Sequence, residues 1–134
     1  MSLSLKVKGK HINIELLGEE IIEYRFKQEA PNSLYAKGMF DCFMEIKGNI
    51  AYMAEHSFAE LEAIREWVDR EFDGDGYYNF VEVSFTHGGE VVRTTTFPDA
   101  YVTSYEEDMD THSGQGIFTL VVRQKLDKMD YYRL

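Results

Sequence analysis

Apolar residues at every second position constrain this chain more than any other feature, because that spacing puts one side of an extended strand in a core and the other in water. Leu3, Leu5 and Val7 alternate with Ser4, Lys6 and Lys8, and the pattern resumes at Ile12, Ile14 and Leu16. The intervening Gly9-Lys10 reads as a hairpin turn with Gly at positive φ. After a break at Gly18, Ile22, Tyr24 and Phe26 oppose Glu23, Arg25 and Lys27. From Met39, one face carries Phe40, Cys42, Met44 and Ile46 and the other Asp41, Glu45 and Lys47. Strands follow over Tyr77–Thr86 and Glu90–Phe97, joined at His87-Gly88-Gly89. A last pair, Ala100–Tyr105 and Gly116–Gln124, flanks a polar loop from Glu106 to Gln115. That makes about eight strands.

The exception is Ser57 to Phe72. Ser57-Phe58-Ala59-Glu60 has the form of a capping box. Phe58, Leu61, Ile64, Trp67 or Val68, and Phe72 fall at helical spacing, and Asp73-Gly74-Asp75-Gly76 ends the segment. A lone helix among strands must lay its apolar stripe on the sheet. The expected fold is therefore mainly β: an antiparallel β-barrel of about eight strands with a single flanking α-helix over Ser57–Phe72. The 134 residues suit one domain, since domains have roughly 100–200 residues.

Twenty-four acidic against fourteen basic residues leave a net charge of -10. This argues against a nucleic-acid binder, which neutralises phosphates with Lys and Arg, and against docking on anionic lipid. No apolar run approaches the ~18 residues of a membrane helix, and the alternating N-terminus lacks the continuous apolar stretch of a cleaved signal peptide. One cysteine cannot make an internal disulfide. Cys42 reads as a small buried hydrophobe.

Catalytic chemistry is sought with little return. A calcium loop starting at Asp73 fails, because its sixth position is Tyr78 instead of Gly and its twelfth is Ser84 instead of Glu. His11, His56, His87 and His112 are scattered and lack the paired spacing of a transition-metal site. Glu106, Glu107, Asp108 and Asp110 with His112 form the densest acidic cluster, readable as a hard-cation site or as a solvated loop. The expectation is no catalytic centre, no metal and no cofactor. Several strands carry large apolar groups on both faces, Met39 and Phe43 opposite Phe40 and Met44, and Tyr77 opposite Tyr78. Such strands suit a sheet covered twice, the second time by a neighbouring subunit.

Met1-Ser2-Leu3-Ser4-Leu5-Lys6, the Gly38–Ile46 strand, Phe97-Pro98-Asp99-Ala100-Tyr101 followed by Tyr105-Glu106-Glu107, and the closing strand Gly116–Gln124 resemble the Hcp proteins of type VI secretion systems. They are similar also to the related phage tail tube proteins. The resemblance spans most of the chain in the same order. It implies a β-barrel with one helix, six copies in a ring, and rings stacked into the inner tube of a contractile injection machine. The ring interface would then include Met39 and Phe43. The segment Gln28–Gly38 reads as an exposed loop and lies where that family carries an extended loop used in ring stacking, with Pro31, Asn32, Ser33, Leu34 and Tyr35 as the candidate stacking residues. The implied partners are further copies of the chain, with sheath, spike or baseplate proteins and cargo besides; no membrane and no specific nucleic acid binding are expected. Assembly would be cytoplasmic, followed by secretion or incorporation in a phage-like particle without a cleaved signal peptide. Two readings from other classes stand beside it: a monomeric barrel that binds a small ligand, and a metal-assisted enzyme using the Glu106–His112 loop.

Overall fold

A computed structural model describes residues 2–29 and 41–125. The alternation produces seven antiparallel strands: β1 (Ser2–Lys8), β2 (Asn13–Leu17), β3 (Ile21–Glu29), β4 (Asp41–Asn49), β5 (Asn79–His87), β6 (Glu90–Asp110) and β7 (Gln115–Gln124). They form one sheet in the order β2-β1-β5-β6-β7-β4-β3. Leu5 and Val7 of β1, Ile14 and Leu16 of β2, Cys42, Met44 and Ile46 of β4, and Phe118, Leu120 and Val122 of β7 all point into one buried cluster. The period-two reading holds at Leu5, Val7, Ile14, Leu16, Cys42, Met44 and Ile46. In β3 it fails at Ile22, which is exposed while Ile21 is buried, because the register slips between Ile21 and Glu23.

Seven strands appear where eight were expected because Glu90–Phe97 and Ala100–Tyr105 are one 21-residue strand. Its register against β5 shifts between the pairs Val81–Phe97 and Asn79–Ala100, placing Pro98 and Asp99 in a bulge. Proline donates no hydrogen bond to a ladder, and a bulge absorbs it without ending the strand. The same strand runs on through Glu106–Asp110, paired with β7 as far as Gln115, so the expected Glu106–Gln115 loop shrinks to a turn at 111–114.

The sheet curls without closing. Its edge strands β2 and β3 are consecutive in the chain but are joined through a 3-10 turn at Gly18–Glu20 instead of a hairpin. β3 comes alongside β1 without forming a ladder to it. A cleft of about 500 Å³ marks this seam, lined by Ser2, Leu3, Gly18, Glu19, Ile21 and Ile22 among others. The expected closed barrel is thus an open, strongly curved sheet.

Among the described residues there are two short helices: α1 (Ile50–His56), which precedes the expected segment, and α2 (Phe58–Val68), which is the expected helix ending earlier than Phe72. Asn49 caps α1 by accepting the Tyr52 amide at 3.1 Å. Ser57 is the joint. Its amide donates to the Met53 carbonyl, its carbonyl accepts from the Leu61 amide, and its backbone (φ -149, ψ 50) is non-helical. Its hydroxyl makes no cap bond and is buried without a partner, so the expected capping box is absent. Leu61, Ile64 and Trp67 are buried as read, whereas Phe58 and Phe72 are 57% and 79% exposed. Phe72 lies beyond the end of α2, and Phe58 at its first position is off the buried stripe.

The β1–β2 turn uses Gly9 for its lack of a side chain, not for the expected positive φ. A methyl there would run into the amide of Asn79. Gly88 and Gly89 do adopt positive φ, 64° and 82°, in the two-residue turn between β5 and β6.

Candidate assembly surface

Because side chains alternate, the residues between the core positions of β3, β4, β7 and β6 share the outer face of the sheet. Strand register lines them up in rows. Lys27 pairs with Phe43, Phe43 with Arg123, and Arg123 with Tyr101. The Lys27 Nζ and the Arg123 guanidinium lie 5.8 Å and 5.3 Å from the Phe43 ring centre, within reach of cation–π attraction. Tyr101 continues the row into an aromatic group, stacked on Tyr77 at 5.7 Å and edge-on to Tyr78 at 5.8 Å. Phe72 reaches Tyr77 at 5.4 Å, and the Lys125 Nζ sits 4.5 Å over Tyr78.

The other end of the same face is acidic. Glu106 pairs with Thr119, Asp108 with Ile117 and Asp110 with Gln115, all exposed on β6 and partnered by residues of β7 that are not core. Extended geometry therefore splits the acidic cluster: Glu106, Asp108 and Asp110 face outward while Glu107 turns to the opposite side. There the Glu107 carboxylate accepts the Tyr105 hydroxyl at 2.7 Å and lies 3.6 Å from Arg65 of α2, beside a cleft of about 270 Å³. Burial, then the bond to Glu107, pushes the Tyr105 hydroxyl well above its ordinary pKa. His112 supplies only its backbone amide, donated to the Asp110 carboxylate at 2.9 Å. That bond holds Asp110 below the usual carboxylate range. Among the described residues no three His, Cys, Asp or Glu side chains are grouped to hold a metal ion.

Asp75, considered in sequence for calcium, is an anchor instead. Its carboxylate meets His11 Nε2 at 2.8 Å and Lys10 Nζ at 3.1 Å. These contacts, His11 first, lower its pKa and tie the β1–β2 turn to the segment after α2. Cys42 is fully buried, as read. Of the candidate interface residues, Phe43 is on the outer face and half-buried. Met39 and the loop Pro31, Asn32, Ser33, Leu34 and Tyr35 lie outside the described residues. Sequence reading missed the Lys27–Arg123 row, since its members come from strands far apart in the chain. Only the register joins them.

The sequence matches no known family profile and no curated protein. Solved structures do match. Hcp1 from Flavobacterium johnsoniae covers 92% of this chain and 90% of its own length, at TM-score 0.53 and 18% identity. A second Hcp protein covers 91% of this chain and 87% of its own, at TM-score 0.60 and 13% identity. The fold is Hcp-like. The likeness extends over about nine-tenths of the chain. Among the described residues, no helix is long and apolar enough to cross a membrane.

Proposed function

We propose that this chain is a structural assembly protein that forms homohexameric rings, stacked into the inner tube of a type VI secretion-like or phage tail-like injection machine. The observation that carries the reading is the likeness to two Hcp structures over about nine-tenths of the chain. The packing supports it against a ligand-binding barrel: Phe97, Phe118, Met44, Ile46 and Leu120 fill the interior and are essentially fully buried. The divided acidic cluster supports it against a metal-assisted enzyme. In this reading the chain is one non-enzymatic domain, assembled in the cytoplasm and then secreted or built into a particle. Its further partners are sheath, spike or baseplate proteins and cargo.

Phe43 and Met39 belong to the ring interface in this proposal, and Pro31–Tyr35 to ring stacking. Size-exclusion chromatography with light scattering tests the ring: a mass near six protomers is expected, with ring-shaped particles in negative stain. A mass near one protomer at all concentrations overturns it. Replacing Pro31–Tyr35 with a Gly-Ser linker should leave rings intact while abolishing tubes at high protein concentration.

A further inference from the structure

β6 has different neighbours along its two sides. On one side it pairs with β5 from Glu90 to Ala100. On the other it pairs with β7 only from Ala100 to Asp110. Among the described residues, Arg93 to Thr96 therefore have no strand on their second side. Backbone groups along an edge need partners wherever water is kept out, and Thr95 is only 3% exposed. An edge left open is also a template for pairing with another chain.

β7 runs toward this edge. Past the ladder pair Ala100–Gln124, the Lys125 amide donates to the Asp99 carbonyl at 2.8 Å, so the chain is still bonded to β6 at Lys125. Side-chain facing then sets the register of a continuing strand. Gln124 and Ala100 both face the core and are fully buried, and the bulge at Pro98 and Asp99 makes Phe97 the next core-facing residue of β6. With a period of two, residue 126 comes opposite Phe97, residue 128 opposite Thr95 and residue 130 opposite Arg93. These are Leu126, an apolar residue beside the core, and Asp130, an acid across from exposed Arg93. Opposite charges directly across a ladder attract. We propose that Leu126–Asp130 continue β7 as a strand along the Arg93–Thr96 edge of β6, and so close that edge to other chains. The segment follows Lys125 directly, and tethering gives it an effective concentration at the edge that a second copy in solution does not match. The inference concerns a single chain and does not rest on the ring reading.

Hydrogen exchange on the full chain tests it. Amides over Arg93–Thr96 should exchange slowly. In a chain stopped after Lys125, about half of them should exchange at least about tenfold faster, because alternate amides point away from β5. Should the shorter chain fail to fold, Asp130→Arg in the full chain gives the same readout: it should speed exchange at these amides, and adding Arg93→Asp should restore their protection. A further variant, Thr94→Cys with Met129→Cys, identifies which chain supplies the strand. The two positions face each other in this register, where opposed Cβ atoms lie ~4.5–5.5 Å apart, near enough for a disulfide after a small adjustment. The native Cys42 is buried. Mild oxidation should link the pair within one chain, running as a monomer on a non-reducing denaturing gel, with the linked peptide confirmed by mass. A link between chains would mean that a second copy supplies the strand, and overturns the inference. Fast exchange in the full chain, unchanged exchange after shortening, or no rescue by Arg93→Asp overturns it too, and each leaves the ring reading untouched.

Discussion

Gly48→Ala adds a single methyl, and its expected effect is larger than its size suggests. Gly48 is a core-facing position of β4, directly opposite Phe118 of β7. A methyl on Gly48 would overlap the Cε2 and Cζ atoms of the Phe118 ring and lie 2.9 Å from Cδ2. Carbon atoms sit comfortably at ~3.5–4.0 Å, so the whole ring must move, by more than half an ångström even at its most distant overlapping atom. It has little room to do so. Phe118 is fully buried and stacks on Tyr105 at 5.9 Å, with an interplanar angle of 9°. Forcing an extra carbon into such a place costs typically about 1–3 kcal/mol, or more where strands must separate. Against this stands the gain of about 0.4–1 kcal/mol that replacing Gly brings by restricting the unfolded chain. A net loss of about 1–2 kcal/mol follows. Urea unfolding monitored by Trp67 fluorescence should show it, at several protein concentrations because assembly itself stabilises the fold. The decisive measurement is a double-mutant cycle with Phe118→Leu. Leu alone leaves a cavity and destabilises, but in the Gly48→Ala background the smaller side chain makes room for the methyl. The two changes should therefore offset each other by more than 0.5 kcal/mol, beyond ordinary additivity. Parent-like stability for Gly48→Ala, or simple additivity of the pair, would refute the close approach.

Ser57→Ala removes a buried hydroxyl that makes no bond, so it should not destabilise and should raise the urea midpoint, because a buried unpaired hydroxyl costs free energy. Asn49→Ala loses the cap on Tyr52 and should cost about 0.5–2 kcal/mol; the reverse ranking in denaturant melts would restore the capping box at Ser57. Trp67→Phe keeps a ring in the core but drops the indole N–H bond to the Tyr77 carbonyl, 2.9 Å long, and should cost about 1 kcal/mol or more, read as a lower urea midpoint. Asp75 has a folded-state pKa below its ordinary value, so its contribution is present above the unfolded pKa of about 3.9 and is lost as pH falls through the lower folded value. Asp75→Asn should therefore flatten the stability profile below pH 4. A profile identical to the parent's across pH 2–5 would show that the His11 and Lys10 contacts do not persist in solution.

Strand identity and facing were legible in the linear sequence because a strand's period of two is a local property. Leu5 and Val7, or Met44 and Ile46, reveal a buried side through their immediate neighbours alone. The stripe Leu61–Ile64–Trp67 was legible for the same reason, since helical spacing repeats within one turn. Even the missed helix left a local mark, in Asn49 as a capping residue before Ile50 and Met53. Three decisions lay beyond such signals. Pro98 marks a strand end by itself, and only pairing of Phe97 and Ala100 with β5 shows that a bulge carries the strand past it. Ser57 and Glu60 spell a capping box, yet the fold uses Ser57 as the joint between two helices, where its backbone serves both and its hydroxyl neither. The surface row of Lys27, Phe43, Arg123 and Tyr101 draws on residues up to 96 positions apart, and ladder register alone sets them side by side. Alternation is decided by each residue and its neighbours. Closure, bulges and shared faces are decided by which strands meet, through hydrogen bonds and packing that exist only once the chain has folded.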